Sequence, residues 1–338
     1  MLDWIDLTLA FAFIGGLAIF MYVLMDGFDL GVGILFPFMP GGEEDRDVAM
    51  NTVAPIWDGN ETWLILGGAA LFAGFPLAYS VILPALYLPL LLMLIALIFR
   101  GVAFEFRFKA VTSKAAWGYS FFFGSLLATF AQGVILGAFI QGFEVEGRDF
   151  VGGLLDWLTP FSLMTGVALV CGYALLGCTW LILKTEAGLR DWCYRLAPRL
   201  LLAVLAFIGL VSLITPWWNA AVRDRWFSFP NLLYLAPVPL LTLLVAGMLL
   251  SAVRQRKDGP PFVLTMLLFL LAYGGLAISL WPLAIPPDIT IWDAASPPES
   301  QMFLLVGLVF LIPTILAYTA FTYWVFRGKV RAGEGYHH

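Results

Sequence analysis

The sequence sets ionisable side chains inside segments that are otherwise apolar, and those side chains are where chemistry could occur. In "MDGFDLGVG", residues 25–33, Asp26 and Asp29 interrupt an apolar stretch that runs from Leu7 to Met39. "APIWDGNETWL" carries Asp58 and Glu61, and "LIFRGVAFEFRF" carries Arg100 and Glu105. A charged group at the centre of a bilayer costs about 2.5–3.5 kcal/mol even on the lenient insertion scale. The i,i+3 spacing sets Asp26 and Asp29, and likewise Asp58 and Glu61, about 60° apart on a helix, so each pair shares one face. Two chemistries fit these residues. Neighbouring carboxylates in a low dielectric can share and pass a proton. Alternatively, Arg100 locks an aspartate in a structural ion pair, or snorkels to the headgroups.

The elements that must position them are membrane spans. The chain has 338 residues, of which 61% are hydrophobic and only 12% charged, and its mean hydropathy is +0.91. Soluble domains carry about 25% charged residues, so the composition is that of an integral membrane protein. A net charge of −5 argues against a nucleic-acid partner. Apolar windows long enough to cross a bilayer predict nine helices, at roughly 7–36, 52–74, 77–106, 117–142, 160–183, 199–216, 231–252, 261–285 and 301–326. The second and third are expected to form a tight hairpin turning at Pro76. The first charges are Asp3 and Asp6 rather than a basic n-region, so the first span is expected to stay in the mature protein.

Basic residues predict the orientation. With the N-terminus outside, only Arg148, Arg223 and Arg225 lie outside, Arg100 lies within a span, and every other lysine and arginine falls inside. Trp4, Trp157, Trp217, Trp218, Trp226, Trp281 and Trp292 then form an outer aromatic belt. The expected fold is an all-α polytopic membrane protein with a periplasmic N-terminus and a cytoplasmic C-terminus. Loops at 143–159 and 286–300 divide it into a four-helix bundle (1–145), a second four-helix bundle (146–290) and a ninth helix with a tail (291–338). In that topology Asp26, Asp29, Asp58, Glu61, Arg100 and Glu105 converge at one depth near the inner side, with Asp58 about 10 Å beyond the start of its span.

Other features have simpler roles. Gly27 and Gly31 form a small-xxx-small pair suited to close helix packing. Cys171, Cys178 and Cys193 show no metal-ligand spacing and read as small hydrophobes. The only histidines, His337 and His338, end the chain, and the acidic "GGEEDRD" reads as a solvated inner loop. "GGLAI" occurs at 15–19 and 274–278, on spans of opposite direction, and is a coincidence of composition.

"MDGFDLGVGILFPF", "NTVAPIWDGNETWLILGGAALFAGFPLAYS", "FRGVAFEFRFK" and "GCTWLILKTEAG" resemble the second subunit of cytochrome bd-type quinol oxidases. The wording is closest to the cyanide-insensitive branch, and the likeness extends along the chain. The resemblance implies a multi-pass protein of the bacterial inner membrane that works in a terminal oxidase, oxidising quinol and reducing dioxygen to water. It implies a heterodimer with a first subunit that holds haem b, haem d and the quinol site, with small accessory subunits, membrane lipid and a structural quinone as further candidates. It assigns Asp58 to a proton path at the subunit interface, and Asp29 and Arg100 to haem-site integrity. No span contains a histidine, the usual haem ligand along with cysteine and methionine, so no redox activity is expected of the isolated chain. Two rivals remain at this stage: a proton-coupled secondary transporter, disfavoured by the lack of a repeat and by charges gathered toward one surface, and a purely structural scaffold for a haem-bearing partner.

Overall fold

The computed structural model describes residues 6–331 and Gly333, so His337, His338, Trp4 and Asp3 lie outside the described residues. The first helix, α1 (Leu7–Leu35), is capped by the Asp6 carboxylate, which accepts from the Leu9 N–H at 3.2 Å. After a 3-10 turn at Phe36–Phe38 comes α2 (Gly42–Val53), whose first turn holds Glu43, Glu44 and Asp45. Acids at that position complement the positive end of the helix dipole. A turn at 54–56 leads into α3 (Trp57–Gly74), which is followed by α4 (Pro76–Ala85), α5 (Tyr87–Lys109) and α6 (Lys114–Gln141).

A short hairpin, β1 (Val145–Glu146) with β2 (Asp149–Phe150), precedes α7 (Pro160–Lys184). The start of α7 is set by a Thr159/Ser162 capping box with Pro160 at its first position. Then follow α8 (Ala187–Trp218), α9 (Ala220–Phe227), α10 (Asn231–Leu235), α11 (Pro237–Arg254) and α12 (Pro260–Leu280). A second hairpin, β3 (Leu283–Ile285) with β4 (Ile289–Thr290), a single turn α13 (Ile291–Ala294), and α14 (Pro298–Val325) complete the chain.

Among the described residues, eight helices are long and apolar enough to cross a membrane, and the count reaches nine if α3 and α4 form one bent span. The expected hairpin at Pro76 is corrected. The chain bends by 120° between α3 and α4, and α4 is a separate ten-residue helix before the next span. Two prolines explain why the expected 77–106 span divides. Pro76 starts α4 and forces Phe75 out of helical geometry, to φ −135° and ψ 64°. Pro89 has no N–H for the Ala85 carbonyl and its ring would clash with it, so the helix breaks at Leu86 and restarts at Tyr87. The acidic "GGEEDRD" is likewise not a loop but the start of α2. The sixth span begins at Ala187, not near 199, so Arg190, Arg195 and Arg199 are helical.

The core lies where α7 packs against α1 and α6, with α5 against α6 and α3 against α1. Close approach depends on missing Cβ atoms. One built on Gly31 would sit 1.9 Å from the Tyr173 carbonyl oxygen, and one on Gly27 would meet the Tyr173 ring at 2.9 Å. The small-xxx-small face of α1 therefore packs on α7 of the same chain. Gly124 plays the same part between α6 and α5, where a Cβ would stand 2.7 Å from the Ala96 carbonyl oxygen.

Candidate functional site

Arg100 is the centre of the site. Its side chain is fully buried on α5, and its Nη1 donates to Asp26 Oδ1 of α1 at 2.5 Å, with Asp26 equally buried. Its Nη2 donates to Glu61 of α3, whose side chain is 24% exposed. The guanidinium carbon lies 5.7 Å from the centre of the Trp57 ring, a cation–π distance. One arginine thus ties three helices together. Asp29, three residues beyond Asp26 on the same face, is held by a different group: Asn60 Nδ2 donates to Asp29 Oδ2 at 2.7 Å. Asn60 Oδ1 in turn accepts from the Tyr323 hydroxyl at 3.0 Å, which joins α14 to the cluster.

Asp26 Oδ2, Asp29 Oδ1 and Arg100 Nε are buried and have no hydrogen-bond partner among the described residues. The carboxylates of Asp26, Asp29 and Glu61 outnumber the one guanidinium. A buried charge needs a counter-charge or a proton, so the arrangement can hold protons as well as clamp helices. One turn from Asp26 on α1, the Tyr22 hydroxyl accepts from Gln132 Nε2 at 2.7 Å, and Gln132 Oε1 accepts from the Tyr173 hydroxyl at 2.9 Å. This chain of hydrogen bonds carries polarity from α1 through α6 to α7.

The site predicted from sequence is brought together only in part. Asp26, Asp29, Glu61 and Arg100 converge. Asp58 does not join them: α3 begins at Trp57, so Asp58 lies in its first turn, exposed on this chain's surface rather than about 10 Å inside a span. Glu105 also stands apart, exposed and paired with Lys109 at 3.1 Å. Its face of α5 points away from Arg100, because five residues turn a helix by about 140°.

Sequence reasoning overlooked a second buried arginine. Arg107, two turns below Arg100 and 1% exposed, donates to Glu43 at 2.6 Å and to Asp47, both on α2. Lys114 joins Asp47 at 2.6 Å. Asn60 and Tyr323 were also missed. Asn60 stands inside the "WDGNE" motif, a polar amide whose helical neighbours three and four residues away, Ile56, Trp57, Trp63 and Leu64, are all apolar, and that was its available signal.

A family model described as cytochrome bd terminal oxidase subunit II matches residues 7–326. The chain belongs to that family. The cytochrome bd ubiquinol oxidase subunit 2 of Bacillus subtilis (strain 168) is 30% identical over 328 aligned residues, covering 93% of this chain and 94% of the relative. The cytochrome bd-I ubiquinol oxidase subunit 2 of Escherichia coli (strain K12) is 28% identical over 366 aligned residues, covering 98% and 97%. A chain in the structure of bd oxidase from Geobacillus thermodenitrificans superposes with a TM-score of 0.74 at 18% identity, covering 93% of this chain and 98% of that one. At that identity it speaks to the fold alone.

Family membership makes this chain a second subunit of a terminal oxidase, a multi-pass membrane component of an oxidoreductase complex that includes a first subunit. Cytochrome bd complexes use haem and quinol. The donor set here does not fit a haem. The described residues include no histidine, and Met39, Met50 and Met93 are packed among apolar neighbours in the main core. Among the described residues, no group of three or more His, Cys, Asp or Glu side chains could hold a metal ion.

Proposed function

We propose that this chain is the subunit of a bd-type quinol oxidase that binds no haem, and that it supports the haem-bearing first subunit while supplying an inner-side proton path. The observation that carries this reading is the graded burial of its carboxylates. Asp58 is exposed, Glu61 follows on the same face of α3 with its side chain 24% exposed, and Asp26 is fully buried behind Arg100. An exposed acid leading through a mostly buried one to a fully buried one is the order a proton would need. Asp29, held by Asn60, is the inner end of that series.

In the same proposal the N-terminus is periplasmic, the C-terminus cytoplasmic and the membrane the bacterial inner membrane, as the charge asymmetry favours. Residues 1–145, 146–290 and 291–338 act as two four-helix bundles and a ninth helix. The first subunit holds haem b, haem d and the quinol site. The assembled oxidase passes electrons from quinol to dioxygen and draws its protons from the inner side, which makes turnover electrogenic.

A second reading is favoured by one observation: Arg100 bonds to both α1 and α3, the geometry of a structural clamp. One experiment separates the two. Haem-to-protein ratio and quinol-dependent oxygen uptake are measured for Asp58→Asn, Asp58→Glu and Glu61→Gln in the assembled complex. A relay predicts normal haem content, turnover reduced about 10²-fold or more in Asp58→Asn, and partial recovery in Asp58→Glu. Full turnover with normal haem in both Asp58→Asn and Glu61→Gln would exclude the path. Loss of haem in step with loss of turnover would assign these residues to structure.

A further inference from the structure

A second site lies at the ends of α7 and α14, joined to the carboxylate cluster only through the Tyr323–Asn60 hydrogen bond. A partly enclosed cleft of about 170 Å³ is lined by Thr52, Ile56, Trp180, Lys184, Tyr323 and Arg327, with Leu183 and Phe326 completing the wall. At ~30 Å³ per water it has room for about five waters, which is enough for a headgroup phosphate though not for a whole lipid.

The chemistry of the wall is one-sided. Lys184 is 5% exposed. Its ammonium donates to the Phe326 carbonyl at the end of α14 and stands 5.3 Å from the centre of the Trp180 ring. Among the described residues no carboxylate pairs with it. Acids on the same end are engaged elsewhere: Glu186 with Arg331 at 3.4 Å, Asp191 with Arg256, and Asp258 with Lys329 at 2.5 Å and Arg190 at 3.1 Å. Arg327 reaches the same cleft. It donates to the Trp324 carbonyl at 2.8 Å and has no acidic partner among the described residues. The neutral polar groups are already used. Thr52 accepts from Trp180 Nε1 at 3.1 Å and donates to Ala49 O at 2.7 Å, and the Tyr323 hydroxyl donates to Asn60.

A buried cation is stable only when an anion or a full set of acceptors compensates it. An ammonium has three donors, and the protein supplies Lys184 with one carbonyl and a ring face. What the cleft lacks is negative charge. Aromatic side chains beside two cations at the end of membrane spans match the amphipathic boundary where phospholipid headgroups lie. The basic residues of this end belong to the side that the charge asymmetry assigns to the cytoplasm, whose leaflet is rich in anionic lipid.

We infer that this cleft binds the phosphate of an anionic phospholipid headgroup, with Lys184 and Arg327 as its donors. The bound lipid fastens α14 to α7. It adds to the ties this helix already has, the Tyr323–Asn60 hydrogen bond and the Lys184 contact at Phe326, on a helix whose one buried residue is Gln301.

The test uses the assembled complex, delipidated in detergent and then reconstituted in nanodiscs of either phosphatidylglycerol or phosphatidylcholine. Lipid retained per complex is counted by native mass spectrometry and the melting temperature is recorded. For the unaltered protein we expect a retained phosphatidylglycerol and a higher Tm in phosphatidylglycerol than in phosphatidylcholine. Lys184→Gln combined with Arg327→Gln should lose both, with lipid affinity falling about tenfold or more. Lys184→Arg should keep both. If the double variant fails to assemble, Arg327→Gln alone decides, because that side chain is exposed and leaves the Lys184 contact in place. Equal lipid retention in wild type and Arg327→Gln would overturn the inference. So would equal stabilisation by inorganic phosphate added to complexes in phosphatidylcholine, which would mark a free-anion site.

Discussion

Arg100 and Arg107 lie on one face of one helix, each is almost wholly buried, and each is held by two carboxylates, yet the two clusters differ in what they cost. Around Arg100 the partner Asp26 is also fully buried and Glu61 is only 24% exposed. Around Arg107 the partners Glu43 and Asp47 keep 49% and 33% of their side-chain exposure. The acids at Arg107 can rehydrate if the arginine is lost, whereas Asp26 cannot. The ring under Arg107, that of Phe36 at 5.0 Å, and the half-wet acids make it an anchor for α2. Arg100 is a desolvated charge centre inside the helix bundle. Depth, not residue type, separates an anchor from a candidate relay.

The largest effect expected from breaking this comparison is that of Arg100→Leu. Removing one partner of a buried pair leaves an uncompensated charge and costs about 3–5 kcal/mol. The complex should be recovered in low yield with a low haem-to-protein ratio. Adding Asp26→Asn should restore part of the loss, and the double-mutant cycle would give the coupling.

Arg107→Leu should cost less, about 1–2 kcal/mol, because Glu43 and Asp47 regain water. Its effect should shrink further as salt rises from 0.05 to 0.5 M, since exposed charges are screened. The Arg100 effect should not. Equal losses and equal salt dependence for the two arginines, read by thermal unfolding, would remove the distinction drawn between them.

The contacts that dock the 327–331 segment should respond to acid. Burial raises the Asp258 pKa, but hydrogen bonds from Lys329 and Tyr194 outweigh it, so the carboxyl sits below the usual carboxylate range. A depressed native pKa contributes stability above the unfolded value, and that contribution is lost as pH falls through the native one. The 327–331 segment should therefore stay docked at pH 5 to 8 and become accessible to protease below about pH 4. Asp258→Asn should show that accessibility at every pH.

The smallest effect is expected from Glu105→Gln. It breaks only an exposed i,i+4 pair with Lys109, and should shift stability by less than about 0.5 kcal/mol with turnover unchanged.

Much of the fold was legible because lipid leaves few choices. A segment of about 20 apolar residues must be helical, since its backbone groups have no other partner. The long spans at α1, α6, α7, α12 and α14 accordingly appear where hydropathy set them. The breaks were less legible. Proline at 76 and 89 decided where α3, α4 and α5 divide, and hydropathy averages across such points. Half of the site was legible in the same way: Asp26, Asp29, Glu61 and Arg100 are costly in hydrocarbon and so announce themselves. Asp58 and Glu105 are equally charged but pay no such cost where they stand, and charge alone could not tell them apart from the others.

Composition and periodicity thus dictate a multi-pass helical protein with a few intramembrane charges, because water, lipid and the backbone impose those limits on any chain. Which charges meet is a different matter. Arg100 could have paired with Asp29 or Glu105 by sequence position, and it pairs with Asp26 and Glu61. That choice follows from the angle at which α1, α3 and α5 pack, and Gly31 against Tyr173 and Gly124 against Ala96 help to determine it. Helix rotation about its own axis costs nothing in hydropathy, so only the contacts of the folded chain could fix it.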